Sequence, residues 1–151
     1  GMREPTVFWW PGTIPSGVVM EMGSTLDLLP TLGSLANAKV PDDRVLDGLD
    51  LSPTLLENKP SPRSQMIYYH GDEVFAVRQG MYKAHFKTKT SYQGQREAEV
   101  HDPPLLFHLG HDPGEQHDVA KIHPEVVKRL EGLKADHEAT VEPIENQMTL
   151  R

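Results

Sequence analysis

Histidine is the side chain this sequence offers most freely for chemistry, with eight in 151 residues. His108 and His111 stand three apart, and His117 and His123 follow. Imidazole suits zinc, but zinc needs three or four ligands converging on one point, each held by a second shell. Alternation along this stretch puts His108 on the strand face opposite Leu105, Phe107 and Leu109, with His111 in the turn beyond. Solvated or capping histidines are therefore expected, and no metal site is assigned. No His-Glu-x-x-His motif exists. The acids Asp42, Asp43, Asp47 and Asp50 lack the alternate-position spacing and closing Glu of a calcium loop, so turn and cap roles are expected. Residues 112–118 are expected to act as turn and cap ahead of the last helix. Trp9 and Trp10 suggest a stacking pair, but neighbours on a strand point to opposite faces, so core packing is the expectation. There is no cysteine, which removes disulfides, thiolate metal sites and a cysteine nucleophile.

The formal net charge is -7, from 22 acidic and 15 basic residues. Phosphate binding needs a clustered basic face, so nucleic acid and anionic membrane surfaces are not expected partners. No apolar run approaches the roughly 18 residues that span a bilayer. Thirteen prolines and twelve glycines predict many turns.

Around these residues the pattern predicts two regions. Thr6-Val7-Phe8-Trp9-Trp10 is β-branched and aromatic, and reads as a short strand apolar on both faces, of the kind buried inside a covered sheet. Ser24-Thr25-Leu26-Asp27 fits a capping box. Leu28, Leu29, Leu32, Leu35 and Ala36 then recur at helical spacing. Pro30 means that this helix either holds the proline in its first turn or is kinked there. Residues 37–64 are broken by Pro41, Gly48, Pro53, Pro60 and Pro62, with a short helical turn near Ser52. Strands are then predicted at Gln65–His70, Glu73–Gln79, 81–88 and 104–109. Phe75 and Val77 share one face, and Tyr82, Ala84 and Phe86 share one face. Gln79-Gly80 makes the turn between the second and third strands. Residues 89–101 are polar and read as an exposed loop. His123-Pro124-Glu125 opens a final helix whose stripe is Val126, Val127, Leu130, Leu133, His137 and Val141, ended by Pro143.

Several phrases stand in a fixed order. They are Gly1-Met2-Arg3-Glu4-Pro5, Phe8-Trp9-Trp10-Pro11-Gly12-Thr13-Ile14 and Leu26-Asp27-Leu28-Leu29-Pro30-Thr31-Leu32. Leu46-Asp47-Gly48-Leu49-Asp50-Leu51-Ser52-Pro53 and Phe75-Ala76-Val77-Arg78-Gln79-Gly80-Met81-Tyr82-Lys83 follow. The last are Pro103-Pro104-Leu105-Leu106-Phe107 and Asp112-Pro113-Gly114-Glu115. In this order they resemble the carboxy-terminal portion of the sulfatase family, close to the arylsulfatase A and galactosamine-sulfatase branch.

The resemblance implies an α+β fold: a small four-stranded antiparallel sheet covered by a C-terminal helix. A strand and helix left over from a larger α/β domain would precede it. The implied division is 1–40 as the remnant of the catalytic domain, 41–64 as linker and 65–151 as the C-terminal domain. The family hydrolyses sulfate esters with a formylglycine nucleophile and a calcium ion. Both belong to the parent enzyme and not to these residues. There is no cysteine, and Ser61-Pro62-Arg63 does not reproduce the Cys/Ser-x-Pro-x-Arg motif. No catalytic residue and no metal ligand are therefore assigned, and the isolated chain is expected to be inactive. In related enzymes a loop of the small domain reaches the mouth of the active site. This makes His85, Tyr92 and His101, in and beside loop 88–101, the candidate substrate-rim residues. The expected partners are the missing N-terminal catalytic domain and, for the parent enzyme, a sulfated ester or sugar. Homo-oligomers through the exposed remnant segments are also expected. The family is often exported, and the sequence does not assign a compartment. The alternative reading is a stand-alone binding or assembly module that kept this fold.

Overall fold

A computed structural model describes residues 4–90 and 97–142. It forms two compact units, residues 1–64 and residues 65–151.

In the first unit a 3₁₀ turn at Thr25–Asp27 runs into helix α1, Leu28–Leu35. The start is a capping box: Ser24 Oγ accepts from the Leu26 amide at 3.2 Å, and Asp27 Oδ2 accepts from the Ser24 amide at 2.8 Å. Pro30 lies in the first turn of α1, where a missing N–H leaves no intrahelical bond unmade. Asn37, at φ 51°, turns the chain out of the helix. Helix α2, Ser52–Glu57, begins beside Asp50, whose Oδ1 accepts from the Ser52 amide at 2.8 Å. Asn58 ends it in the left-handed conformation.

What ties this unit together is a buried ion pair. Asp27 and Arg63 are both almost wholly buried. Asp27 Oδ2 accepts from Arg63 Nε at 2.8 Å, and Oδ1 accepts from Arg63 Nη2 and, at 2.7 Å, from the Leu49 amide. Arg63 Nη2 also donates to the Asp47 carbonyl at 2.7 Å. Burial pushes the Asp27 carboxyl up, but Arg63 and the two backbone amides outweigh it and hold it below the ordinary carboxylate value. Thr31, one turn along, accepts from the Leu51 amide through Oγ1 at 2.9 Å. Thus α1 gathers residues 47–63 around its N-terminal end.

One expectation for this unit fails. Thr6-Val7-Phe8-Trp9-Trp10 forms no strand. A strand persists only where a second strand completes its hydrogen bonds, and no described residue of the unit pairs with it. Instead the Trp10 carbonyl accepts from the Thr13 and Ile14 amides at 3.1 and 3.0 Å, closing a turn at Pro11-Gly12. Val7 and Trp9 are left 86% and 83% exposed, so the core packing expected of the tryptophans does not occur.

The second unit is α+β. Strands β1 (Gln65–His70), β2 (Glu73–Gln79), β3 (Tyr82–Thr88) and β4 (Glu99–His108) form an antiparallel sheet in sequence order. Gly71 and Gly80, both at positive φ, turn the first two hairpins. Helix α3, Pro124–Thr140, lies across one face. The core between them is Val74, Val77, Ala84, Leu106, Ala120, Val126, Val127 and Leu130. Leu106, Leu130 and Val77 are fully buried, each contributing about 1.5–3 kcal/mol.

Two register details differ from strict alternation. Tyr68 pairs with Ala76 and Tyr69 with Val74, so Phe75 is an extra residue in β2. This bulge puts Val74, not Phe75, on the helix face with Val77. Strand β4 begins at Glu99, five residues earlier than its proline pair suggests, because Val100 and Glu99 pair with Lys87 and Thr88 across an irregular stretch that holds Pro103 and Pro104. The expected loop at 89–101 is correspondingly shorter. The end of β4 alternates as expected: Leu106 takes the helix-facing position opposite Ala84, and Leu105 and Phe107 share the other face.

Candidate functional site

The outer face of the sheet, away from α3, carries the polar groups. Alternation along β3 puts Tyr82, Ala84 and Phe86 toward the helix and leaves Lys83, His85 and Lys87 outward. The segment after β4 then returns over that face. Its path is set by Asp112, whose Oδ2 accepts from the Gln116 and His117 amides at 2.7 and 2.8 Å, and whose carbonyl accepts from the Glu115 amide at 3.1 Å. Glu115 adopts φ 53°, a left-handed conformation that costs a residue with a Cβ about 1 kcal/mol or more. In this conformation it reaches β3. Lys83 Nζ donates to Glu115 Oε1 at 2.7 Å, and His85 Nε2 lies 2.5 Å from Oε2. The three side chains are 12%, 17% and 26% exposed for Lys83, His85 and Glu115.

The electrostatics follow from that geometry. Burial pushes the Glu115 carboxyl up, yet Lys83 and His85 outweigh it and hold it below the ordinary carboxylate value. Burial, and then the Lys83 charge, push His85 below the ordinary imidazole value, against the pull of Glu115. His101 adds to the downward push. The His85 ring also meets the Phe107 edge at 5.7 Å between centroids, and Lys83 Nζ sits 4.9 Å from the centre of the Tyr68 ring.

The structure brings two of the three rim candidates from the sequence within electrostatic reach of each other. His85 is held by Glu115, and His101 Nε2 lies 2.8 Å from Thr88 Oγ1, close enough to influence His85. Tyr92 lies outside the described residues. Sequence reasoning missed Glu115 and Lys83 as partners of His85. The only available signal was the Asp-Pro-Gly-Glu turn, which marks a sharp return of the chain without saying what it returns to.

The histidine cluster takes another place. His108, His111, His117 and His123 line an open recess with Tyr82, Asp112 and Val119. His108 and His111 stack at 4.3 Å, and Tyr82 meets His108 and His123 edge-on at 4.8 and 5.4 Å. Among the described residues no three His, Asp or Glu side chains come together as metal ligands. Asp42 and Asp43 pair with Lys39 and Arg44, Asp50 caps α2, and Asp47 offers Arg63 its carbonyl. Among the described residues no helix is long and apolar enough to cross a membrane.

A four-stranded antiparallel sheet in sequence order, one covering helix and a return segment fastened to the outer face define a small α+β domain. A family model described as the C-terminal region of aryl-sulfatase matches residues 61–151. The chain belongs to the sulfatase family, of which residues 61–151 are the C-terminal region. Arylsulfatase A of Bos taurus is 45% identical over 93% of the chain and 32% of its own length. N-acetylgalactosamine-6-sulfatase of Canis lupus familiaris is 39% identical over 99% of the chain and 33% of its own length. The chain thus spans about a third of the length of the curated relatives it matches. A sulfatase structure from Pseudoalteromonas sp. shares the fold with a TM-score of 0.74 at 24% identity, over 87% of this chain and 28% of that one.

Proposed function

We propose that these residues serve as the C-terminal portion of a sulfuric ester hydrolase, which stabilises and rims an active site whose reactive groups lie elsewhere in the polypeptide. The observation that carries this reading is the 45% identity to arylsulfatase A across 93% of the chain, against only 32% of the relative. In this proposal residues 1–40 belong with the catalytic body, 41–64 link, and 65–151 form the C-terminal domain. The large apolar residues exposed in the first unit, among them Val7, Trp9, Val18, Met20, Leu29 and Leu32, support it. Apolar exposure on this scale marks a surface that a partner covers.

The parent reaction needs an activated nucleophile, stabilisation of the transferring sulfuryl group and an acid for the leaving oxygen. In the family these needs are met by formylglycine and calcium. The residues of this chain do not fit either group: there is no cysteine, Ser61-Pro62-Arg63 departs from the required motif, Asp42 and Asp43 are held in ion pairs, and Asp50 accepts from the Ser52 amide at the start of α2. No step is assigned to them. His85, His101 and Tyr92 are proposed as rim residues that meet the non-reacting part of a sulfated ester or sugar.

The test is complementation. The chain is co-expressed with bovine arylsulfatase A lacking the third that it matches, and sulfate release from a chromogenic aryl sulfate is measured. Co-purification with restored release is expected, with none from either part alone. Sulfate release by this chain alone, or its failure to associate with the truncated enzyme, overturns the proposal.

A further inference from the structure

We propose that Glu115 acts as a positioning residue that locks His85 with its proton on Nε2, so that Nδ1 is left as a hydrogen-bond acceptor for a ligand hydroxyl or amide N–H. This deepens the rim reading above and rests on it for the identity of the ligand, though not for the state of the ring.

An ionised carboxylate only accepts hydrogen bonds. At 2.5 Å from Glu115 Oε2, His85 Nε2 must therefore supply the hydrogen. A second proton would make the ring cationic, and three features oppose that. Lys83, 2.7 Å from Glu115 Oε1, already balances the carboxylate. The imidazole is 17% exposed, so a new charge there is poorly solvated. His101, the other ionisable group acting on the ring, opposes a further positive charge. The neutral ring thus carries its hydrogen on Nε2 and a bare lone pair on Nδ1.

That lone pair is open. Nδ1 has no hydrogen-bond partner among the described residues, and no buried side-chain nitrogen or oxygen among them lacks a partner. Nδ1 is therefore not sealed from solvent. Its chemistry selects a donor. A sugar hydroxyl or an acylated amine can donate to it, whereas a sulfate dianion has only acceptor oxygens and meets the lone pair unfavourably. In this arrangement His85 reads the sugar and not the ester group.

The strained backbone agrees. Glu115 is held at φ 53°, where glycine is the comfortable residue, and its side chain supplies the compensating contacts. Glu115→Gly is therefore the informative variant, since it relaxes the turn while removing the carboxylate.

The test is ¹⁵N-detected two-bond correlation of the imidazoles in the 151-residue chain at pH 7.5, with His85→Gln for assignment. Wild type is expected to show His85 neutral with hydrogen on Nε2, and Glu115→Gly to lose that single form for a mixture of tautomers. Galactose, as a neutral hydroxyl donor, is expected to shift Nδ1 of the wild type, with the shift lost in Glu115→Gly. Inorganic sulfate is expected to leave Nδ1 unmoved. A ring protonated on Nδ1, a tautomer unchanged in Glu115→Gly, or an Nδ1 that answers sulfate and not galactose overturns the inference. These readings need no catalytic partner, so a failed complementation would leave them standing, and their failure would leave complementation standing.

Discussion

The contact with the largest measurable consequence is the pair formed by Asp27 and Arg63. Asp27→Ala removes a carboxylate that accepts from the Ser24 and Leu49 amides and from two nitrogens of Arg63. What remains is a guanidinium, almost wholly buried, that has lost its carboxylate partner and still donates to the Asp47 carbonyl. Breaking a buried pair from one side costs about 3–5 kcal/mol, because the surviving charge is left uncompensated. In equilibrium terms this is roughly two to three and a half decades. The Leu51 amide is the probe. It donates to Thr31 Oγ1 and not to Asp27, so its chemistry is untouched while its protection reports whether α1 and residues 47–51 stay together.

Hydrogen exchange at Leu51 is expected to speed up by that factor in Asp27→Ala, up to the limit set by the stability of the whole unit. The double variant Asp27→Ala with Arg63→Met removes the orphaned charge while keeping most of the apolar stem. It is expected to cost less than the two single changes together by more than about 1 kcal/mol. Additive costs, or a loss below about 1 kcal/mol in the single variant, would show that water reaches and solvates the pair and would refute the reasoning. The pH dependence has a fixed sign. The folded-state value of Asp27 is depressed, so its contribution is present above the ordinary carboxylate range and is lost as pH falls through the depressed value.

Other outcomes follow from single observations. Gly48→Ala would place a Cβ 2.1 Å from the Leu26 carbonyl oxygen, a backbone atom, so residues 26 and 48 must separate. Thermal unfolding should register about 1–3 kcal/mol or more of destabilisation. Leu130→Ala empties a fully buried position under the sheet and is expected to cost about 2–5 kcal/mol by urea titration, whereas Lys128→Ala beside it should be close to neutral. His85 is depressed in the folded state, so its contribution is complete above about pH 6.5 and declines as pH falls through its lowered value. His85→Gln is expected to flatten the stability profile in that window, and an unchanged profile would reject the assignment. The exposed Val7, Trp9 and Met20 predict concentration-dependent self-association, visible as a rising weight-average mass in sedimentation equilibrium. A monomer at high concentration would count against it.

The parts of the fold legible in the sequence are those that repeat locally. Strand β1 announces itself as a run at Gln65–His70, β2 and β3 through alternation and the Gln79-Gly80 turn, α3 through His123-Pro124-Glu125 and its stripe, and α1 through Ser24 and Asp27. Legibility fails where one residue breaks the period or where the partner is remote. Phe75 is as apolar as its neighbours, so nothing in its type announces a bulge. Pro103 and Pro104 argue against a strand, although the irregular stretch that contains them lets β4 start at Glu99. Residues 6–10 have every local mark of a strand and form none, because a ladder is a property of two segments.

The charged groups fail in the same way. Asp27 meets Arg63 across 36 residues and His85 meets Glu115 across 30, and no periodicity connects either pair. Yet both obey one physical rule. Each unit has a long stretch with little regular structure, at 37–64 and at 109–123, that cannot hold itself by backbone ladders alone. In each, acidic side chains accept several donors from a regular element or from the stretch itself, Asp27 in the first and Asp112, Glu115 and Asp118 in the second, so the path of the loop is set by carboxylates. That arrangement stiffens the return segment against the sheet, and it leaves His85 with one nitrogen committed and the other available. The candidate rim residue is therefore a by-product of how the loop is fastened, and its chemistry should fail with the fastening while the sheet beneath it remains intact.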